Sequence, residues 1–289
     1  MAVEDAVLVA QITDLHIGFE PDNPDEPNMQ RLRAVIDRLV DGPNRPDLLL
    51  MSGDLTECGD AESYRRLAEA VSRCPFPVHA MTGNHDLREP LLSAFPGTGS
   101  ADGFVQYVIA ANGLRLIVLD TLDVGRQGGA FCEARAEWLS ARLDEDSETP
   151  TLLAMHHPPF ESGIGWLDGS EAEPWMIRFA AAAAGRANVK GIISGHLHRS
   201  IHTVWNGYAA SVCPSTAPAV GLDLRAIDTA RPDGRAMITA ELPAYALHRW
   251  DGRRLVTHVE TVGEAPVLAK YDARFQPVVQ AIAAERAQA

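Results

Sequence analysis

The chain has 289 residues, 46% of them apolar and 22% charged, and a formal net charge of −14. That is enough apolar material for a large buried core, in one large domain or two small ones. The acidic balance argues against long nucleic acid or an anionic membrane as a partner held by bulk electrostatics. No apolar run approaches the roughly 18 residues of a membrane span. Residues 1–5 show no basic segment leading into an apolar core, so no signal peptide is expected. Cys58, Cys74, Cys132 and Cys213 form no Cys-x-x-Cys pair, which fits thiols in a reducing, cytoplasmic setting.

Residues 7–12 read as a buried strand ending in Thr13-Asp14-Leu15-His16. In an extended segment residues two apart face the same way, so Asp14 and His16 are expected to point into one site. A helix follows, with Leu32, Val35, Ile36 and Leu39 on one face and Gly42-Pro43 at its end. Leu48-Leu49-Leu50-Met51 is a second buried strand, and Asp54 lies just past its end, where open α/β sheets place their ligands. Asp54 also has the chemistry to cap the next helix. Asp60 is placed to cap a helix carrying Tyr64, Leu67 and Val71. The strand 77–81 runs into Thr82-Gly83-Asn84-His85-Asp86.

This alternation predicts parallel strands with covering helices. Then 104–111 and 114–120 flank Asn112-Gly113, a hairpin signal. A helix is expected over 132–143. The strand 151–155 ends at His156-His157-Pro158-Pro159. A helix is expected over 173–184, and the strand 189–193 ends at Gly195-His196-Leu197-His198. A second hairpin pivots on Asn206-Gly207. Strands are expected over 236–242, 244–250 and 253–262, and a last helix over 273–287. With no internal repeat or low-complexity linker, the reading is one catalytic domain, 1–262, with a C-terminal helical tail, 263–289.

Five strand ends thus deliver Asp14 and His16, Asp54, Asn84 and His85, His156, and His196 and His198. A lone histidine at a strand end is ordinarily a hydrogen-bonded structural residue, but the whole ordered set is not explained that way. It is an oxygen and nitrogen donor set without thiolate, suited to Fe, Mn, Zn or Co rather than to a structural zinc. Eight such residues exceed the needs of one ion. They suit two ions sharing a carboxylate about 3.5–4 Å apart, a spacing used in phosphoryl-ester hydrolysis.

These motifs, Asp14-Leu15-His16, Gly53-Asp54, Gly83-Asn84-His85-Asp86, His156-His157 and Gly195-His196-Leu197-His198, resemble those of the calcineurin-like metallophosphoesterases. The runs Asp54-Leu55-Thr56-Glu57-Cys58-Gly59, His156-His157-Pro158-Pro159-Phe160, Pro214-Ser215-Thr216 and Ala246-Leu247-His248-Arg249-Trp250 are similar to the cyclic-nucleotide and glycerophosphodiester phosphodiesterase branch. The resemblance implies an α/β fold in which two mixed β-sheets, flanked by helices, form a four-layer α-β-β-α sandwich. It implies that Asp14, His16 and His198 hold one cation, that Asn84, His156 and His196 hold the other, and that Asp54 bridges them. His157 is then a supporting neighbour of His156. His85 is a catalytic group at the phosphate, and Asp86 orients it or makes another supporting contact. The implied reaction is hydrolysis of a small phosphodiester, such as cAMP or a glycerophosphodiester, by a hydroxide held between the two cations. The other readings are a phosphomonoesterase or protein phosphatase of the same kind, or an inactive metal-binding scaffold. Phe160 and Trp166 are expected as walls of the substrate pocket. The resemblance also implies a homo-oligomer, with the tail packing on a partner subunit.

Overall fold

The computed structural model describes residues 6–99 and 101–287. Residues 1–5, on which the expectation about a signal peptide rests, and the last two residues of the tail lie outside the described residues. β1 (Val7–Ile12), β2 (Leu48–Ser52) and β3 (Val78–Met81) alternate with α1 (Pro27–Asp41) and α2 (Ala61–Val71). The three strands are parallel. The Asp60 side chain accepts from Ser63 N and caps α2 as expected. α3 (Arg88–Ala94) was not legible in sequence, because it is short and buries only Leu91, leaving no apolar stripe to read.

β4 (Tyr107–Ala111) and β5 (Leu114–Leu119) form the first expected hairpin. Asn112 and Gly113 at its tip have φ of 42° and 82°, as a two-residue turn with left-handed central residues requires. α4 (Glu133–Glu145), β6 (Thr151–Met155), α5 (Pro174–Ala183) and β7 (Val189–Ser194) follow. The second hairpin joins β8 (Ile201–Trp205) to β9 (Tyr208–Val212). The strand expected over 236–242 shrinks to β11 (Ile238–Thr239), paired with β10 (Ala219–Val220). That segment has no longer strand to pair with, and Met237, Ile238 and Leu242 stay exposed. β12 (Ala244–Trp250), β13 (Leu255–Thr261) and α6 (Gln276–Ala287) close the chain.

The strands form two large mixed sheets, in the orders β13-β12-β1-β2-β3 and β4-β5-β6-β7-β9-β8. Side chains alternate across each strand, and this builds four layers. Ala10, Ile12, Leu49 and Met51 face α1 and α2, meeting Leu32, Ile36 and Leu67. Val7, Val9, Leu48 and Leu50 face the other sheet, meeting Leu116, Val118, Leu152 and Ala154. Ile117, Leu119, Leu153 and Met155 face α4 and α5, meeting Leu139 and Phe179. The expected α-β-β-α sandwich is what these faces assemble. Its consequence for function is geometric. The C-terminal ends of β1, β2, β3, β6 and β7 come together along one edge, where their loops meet.

Candidate metal centre

The loops after β1 and β2 are knitted together by backbone bonds: Asp14 N to Gly53 O, and Leu15 N and His16 N to Asp54 O. Asp14, His16, Asp54, His196 and His198 all lie in the left-handed region, with φ between 48° and 72°. Non-glycine residues rarely adopt that conformation, and such strain gathers at functional sites. It also corrects one inference. Asp14 and His16 converge because both turn left-handed, not because an extended strand carries them on one face. Two glycines are demanded by close approach. A Cβ on Gly83 would lie 2.2 Å from Asp54 Oδ1, and one on Gly195 would lie 2.0 Å from Thr13 Oγ1.

Hydrogen bonds to acceptors fix three imidazoles in one tautomer. Nδ1–H donates to Glu57 Oε2 in His16 (2.8 Å), to Ser52 O in His156 (2.9 Å) and to Pro218 O in His198 (2.8 Å). Each ring therefore turns an Nε2 lone pair inward, towards the carboxylates. His198 Nε2 lies 3.3 Å from Asp14 Oδ1, and His156 Nε2 lies 3.3 Å from Asp54 Oδ2. His16 Nε2 lies 3.2 Å from His198 Nε2, lone pair towards lone pair. His156 Nε2 is fully buried and hydrogen-bonded to nothing. On the far side His196 Nδ1 is 3.0 Å from Asn84 Oδ1, and Asn84 donates its amide to Gln127 Oε1.

Lone pairs and carboxylates pointed at one another in a buried space repel unless cations lie between them. The donor set therefore fits metal ions. Asp14-His16-His198 and Asp14-Asp54-His156 each bring donor atoms within 4.8 Å of one another. The charges agree. Burial pushes the Asp54 carboxyl up, but His156, His16 and His85 together hold it well below the usual carboxylate range. Burial likewise pulls the His156 imidazole down, yet Asp54 and Asp14 raise it to about 9. With no cation present, that inward Nε2 lone pair is the site at which these carboxylates favour a proton.

Two further histidines approach these groups. Both ring nitrogens of His157 are engaged, Nδ1 with Thr121 Oγ1 and Nε2 with Gln127 O. Burial, with His196 and His156 beside it, holds its imidazole well below the usual histidine range. It packs edge-on against His156, with ring centroids 5.0 Å apart. His85 anchors Nδ1 on Glu57 O, and its backbone N–H donates to Asp54 Oδ1. Asp86 does not hold the His85 ring. Its buried carboxylate accepts from Leu55 N, Thr56 N, Gly83 N and Tyr64 Oη, tying the loop of Asp54 to that of Asn84. Burial and the Asp54 charge push this carboxyl up to about 6.

A cavity of about 480 Å³ opens beside His16, His85 and His198, lined further by Phe19, Glu57, Pro218 and Ile238. Phe19 and Ile238 are 65% and 56% exposed. Neither Phe160 nor Trp166 lines it. Phe160 packs into the core with Trp175, Met176 and Phe179 of α5 and borders a much smaller space beside His157 and His196. Trp166 is half-buried in the following loop. Sequence reasoning gave no role to Glu57, Pro218, Gln127 or Phe19. Glu57 stands in the Asp54 loop, but its bond to His16 joins residues 41 positions apart.

The family model for calcineurin-like phosphoesterases matches residues 7–200. A protein of Arcobacter nitrofigilis named as a probable glycerophosphodiester phosphodiesterase is 30% identical over 223 residues, 76% of this chain and 80% of its own. One of Synechococcus named as a probable cyclic nucleotide phosphodiesterase is 36% identical over 217 residues, 72% and 80% of the two chains. Among solved structures, a dimetal phosphatase from Danio rerio superposes with a TM-score of 0.60 at 14% identity, over 89% of this chain and 99% of its own, which speaks to the fold alone. The motifs, the four-layer sandwich and the inward-turned donors agree with these likenesses, and the chain belongs to the calcineurin-like phosphoesterase family.

Proposed function

We propose that the protein is a dinuclear phosphodiesterase of small substrates, cyclic nucleotides or glycerophosphodiesters. The observation that carries the reading is the set of converging Nε2 lone pairs and carboxylates at the shared Asp54, next to an open cavity. Asp14, His16 and His198 would hold one cation, Asn84, His156 and His196 the other, with Asp54 between them. Fe, Mn, Zn or Co suit these donors. Bound there, such cations supply hydroxide at neutral pH and neutralise phosphate charge.

The remaining chemistry belongs to the chain. Glu57, Ser52 O and Pro218 O hold the imidazoles in their tautomers. His85 lines the cavity with Nδ1–H donated to Glu57 O, so Nε2 is the free ring atom, and as an imidazolium His85 would give its Nε2 proton to the departing alkoxide. The ester group rests against Phe19, Pro218 and Ile238. The names of the two relatives support the choice of diesters. Phosphomonoester hydrolysis is the second reading, since the same donors serve it.

The test is a panel run on Mn-loaded protein: bis(p-nitrophenyl) phosphate, p-nitrophenyl phosphate, cAMP and glycerophosphocholine. The reading expects diesters to be preferred in kcat/KM. Preference for the monoester would replace it with the second.

The tail supports a homo-oligomer. None of the described residues of α6 is buried, and Val278, Val279 and Ile282 are exposed on it. Light scattering of the full chain and of a 1–262 truncation should show association in the first and not in the second. No helix among the described residues is long and apolar enough to cross a membrane.

A further inference from the structure

Val7 and Val9 on β1 face the other sheet, and the two-residue period of a strand turns Gln11 to the same face. An amide here breaks the apolar pattern of the inter-sheet layer, and such breaks are expected where function requires them. Gln11 is wholly buried, as is His248 on β12. Every polar group of the Gln11 side chain is used. Nε2 donates to Ser52 Oγ at 2.8 Å and to Ser194 O at 3.0 Å. A backbone carbonyl only accepts, so the amide orientation is forced. Oε1 then accepts from His248 Nε2 at 2.9 Å, and His248 Nδ1 accepts from Thr257 Oγ1 at 2.8 Å.

These partners end the strands that carry the ligand set. Gln11 lies three residues before Asp14, Ser52 two before Asp54, and Ser194 two before His196. Ser52 also accepts His156 Nδ1 on its carbonyl. One amide thus ties β1 and β2 of the first sheet to β7 of the second, directly beneath six of the seven donors. Asn84 is the exception. Most of the other contacts in the inter-sheet layer are apolar, and a second inter-sheet bond, Tyr107 Oη to Ala80 O at 2.7 Å, lies at β3, away from these strand ends. Apolar contact is non-directional and sets no exact offset between two sheets, whereas hydrogen bonds of fixed geometry do.

We propose that Gln11, clamped by His248, is a positioning residue for the metal centre. It holds Asp14 and His16 at the height relative to Asp54, His156, His196 and His198 that two cations require. The proposal rests on the reading of these side chains as a metal site, and not on which ester is cleaved.

The test uses the full chain. Gln11→Met keeps the volume and removes all three bonds. Mn(II) affinity of the metal-free protein is measured by calorimetry, and the exchange-coupled Mn pair is followed by electron paramagnetic resonance. We expect affinity to fall about 10- to 100-fold, the range found for lost support of metal ligands. The coupled signal should change, and kcat for bis(p-nitrophenyl) phosphate should drop with KM little altered. His248→Met should do the same. His248→Gln, which keeps an N–H donor towards Gln11 Oε1, should restore what His248→Met loses. If Gln11→Met does not fold, Ser52→Ala removes one of the three Gln11 bonds, along with the longer bond from Ser52 Oγ to Ile12 O, and it should shift affinity and spectrum in the same direction.

A lowered melting temperature with wild-type Mn affinity and a wild-type coupled spectrum, in whichever variants fold, would reduce Gln11 to an ordinary core group and overturn the proposal. Failure of wild-type protein to bind Mn at all would instead sink the metal reading itself.

Discussion

Gly83→Ala is the most economical perturbation of the shared carboxylate. The new methyl would lie 2.2 Å from Asp54 Oδ1, 2.3 Å from Asp54 N and 2.8 Å from His156 Nε2. Gly83 has no positive φ, so the whole effect is steric. Contact at 3.4 Å is ordinary, so the Asp54 loop and its carboxylate must retreat by about 1 Å. Overpacking of this kind costs about 1–3 kcal/mol of stability. A misplacement of about 1 Å at a catalytic group costs about 100-fold in rate. The assay is kcat for bis(p-nitrophenyl) phosphate on Mn-loaded protein, with Mn content and melting temperature measured alongside. Gly97→Ala is the control, since nothing lies within 4 Å of its added Cβ. A Gly83→Ala protein with full Mn content and kcat within about threefold of wild type would refute the reasoning. Asp54 would then have room to move without chemical consequence.

Three further outcomes follow from the same geometry. His85→Ala should lower kcat about 10²- to 10⁴-fold while leaving Mn content unchanged, and wild-type turnover on every ester tested would remove His85 from the chemistry. Because His156 is raised to about 9 in the metal-free protein, Mn binding near pH 7.5 must displace its proton. Calorimetry in buffers of different ionisation enthalpy should show release of about one proton, with affinity rising as pH climbs towards 9; affinity independent of pH would contradict this. His248, lowered by burial and then by His202 to about 4, shows the opposite sign. Its neutral form is favoured on folding, so its contribution is complete above the unfolded value near 6.5 and is lost as pH falls towards 4. That is about 3 kcal/mol at 1.36 kcal/mol per unit. Urea unfolding of wild type and His248→Gln at pH 7 and pH 4.5 isolates it as a difference, in which Asp14 and Asp54 cancel; equal pH slopes would refute the assignment.

The donor residues were legible because each follows a short apolar strand. Val7–Ile12, Leu48–Ser52 and Thr151–Met155 are buried almost throughout, and it is the recurrence of Asp, Asn and His at one strand end after another, not any single one, that structural roles leave unexplained. The hairpins at Asn112-Gly113 and Asn206-Gly207 were legible because few other residues accept those angles. What supports the donors was not legible. Glu57 beneath His16, Pro218 O beneath His198 and Gln11 beneath the loops act through contacts between residues 41, 20 and 183 positions apart, which no local pattern encodes. The Pro214-Ser215-Thr216 run carries no local pattern that shows its role. Thr216 N in that run and Ala217 N just after it donate to Thr13 O and Asp14 O, which seats the first ligand loop. The 236–242 segment keeps only Ile238–Thr239 as strand because its partner, β10, is two residues long.

The central claim is that seven side chains gather two cations about Asp54. Anomalous diffraction from crystals of Mn-loaded protein tests it most directly. Two peaks about 3.5–4 Å apart, one within reach of Asp14, His16 and His198 and the other of Asn84, His156 and His196, are the predicted result. No peak, or a single peak remote from Asp54, would contradict it.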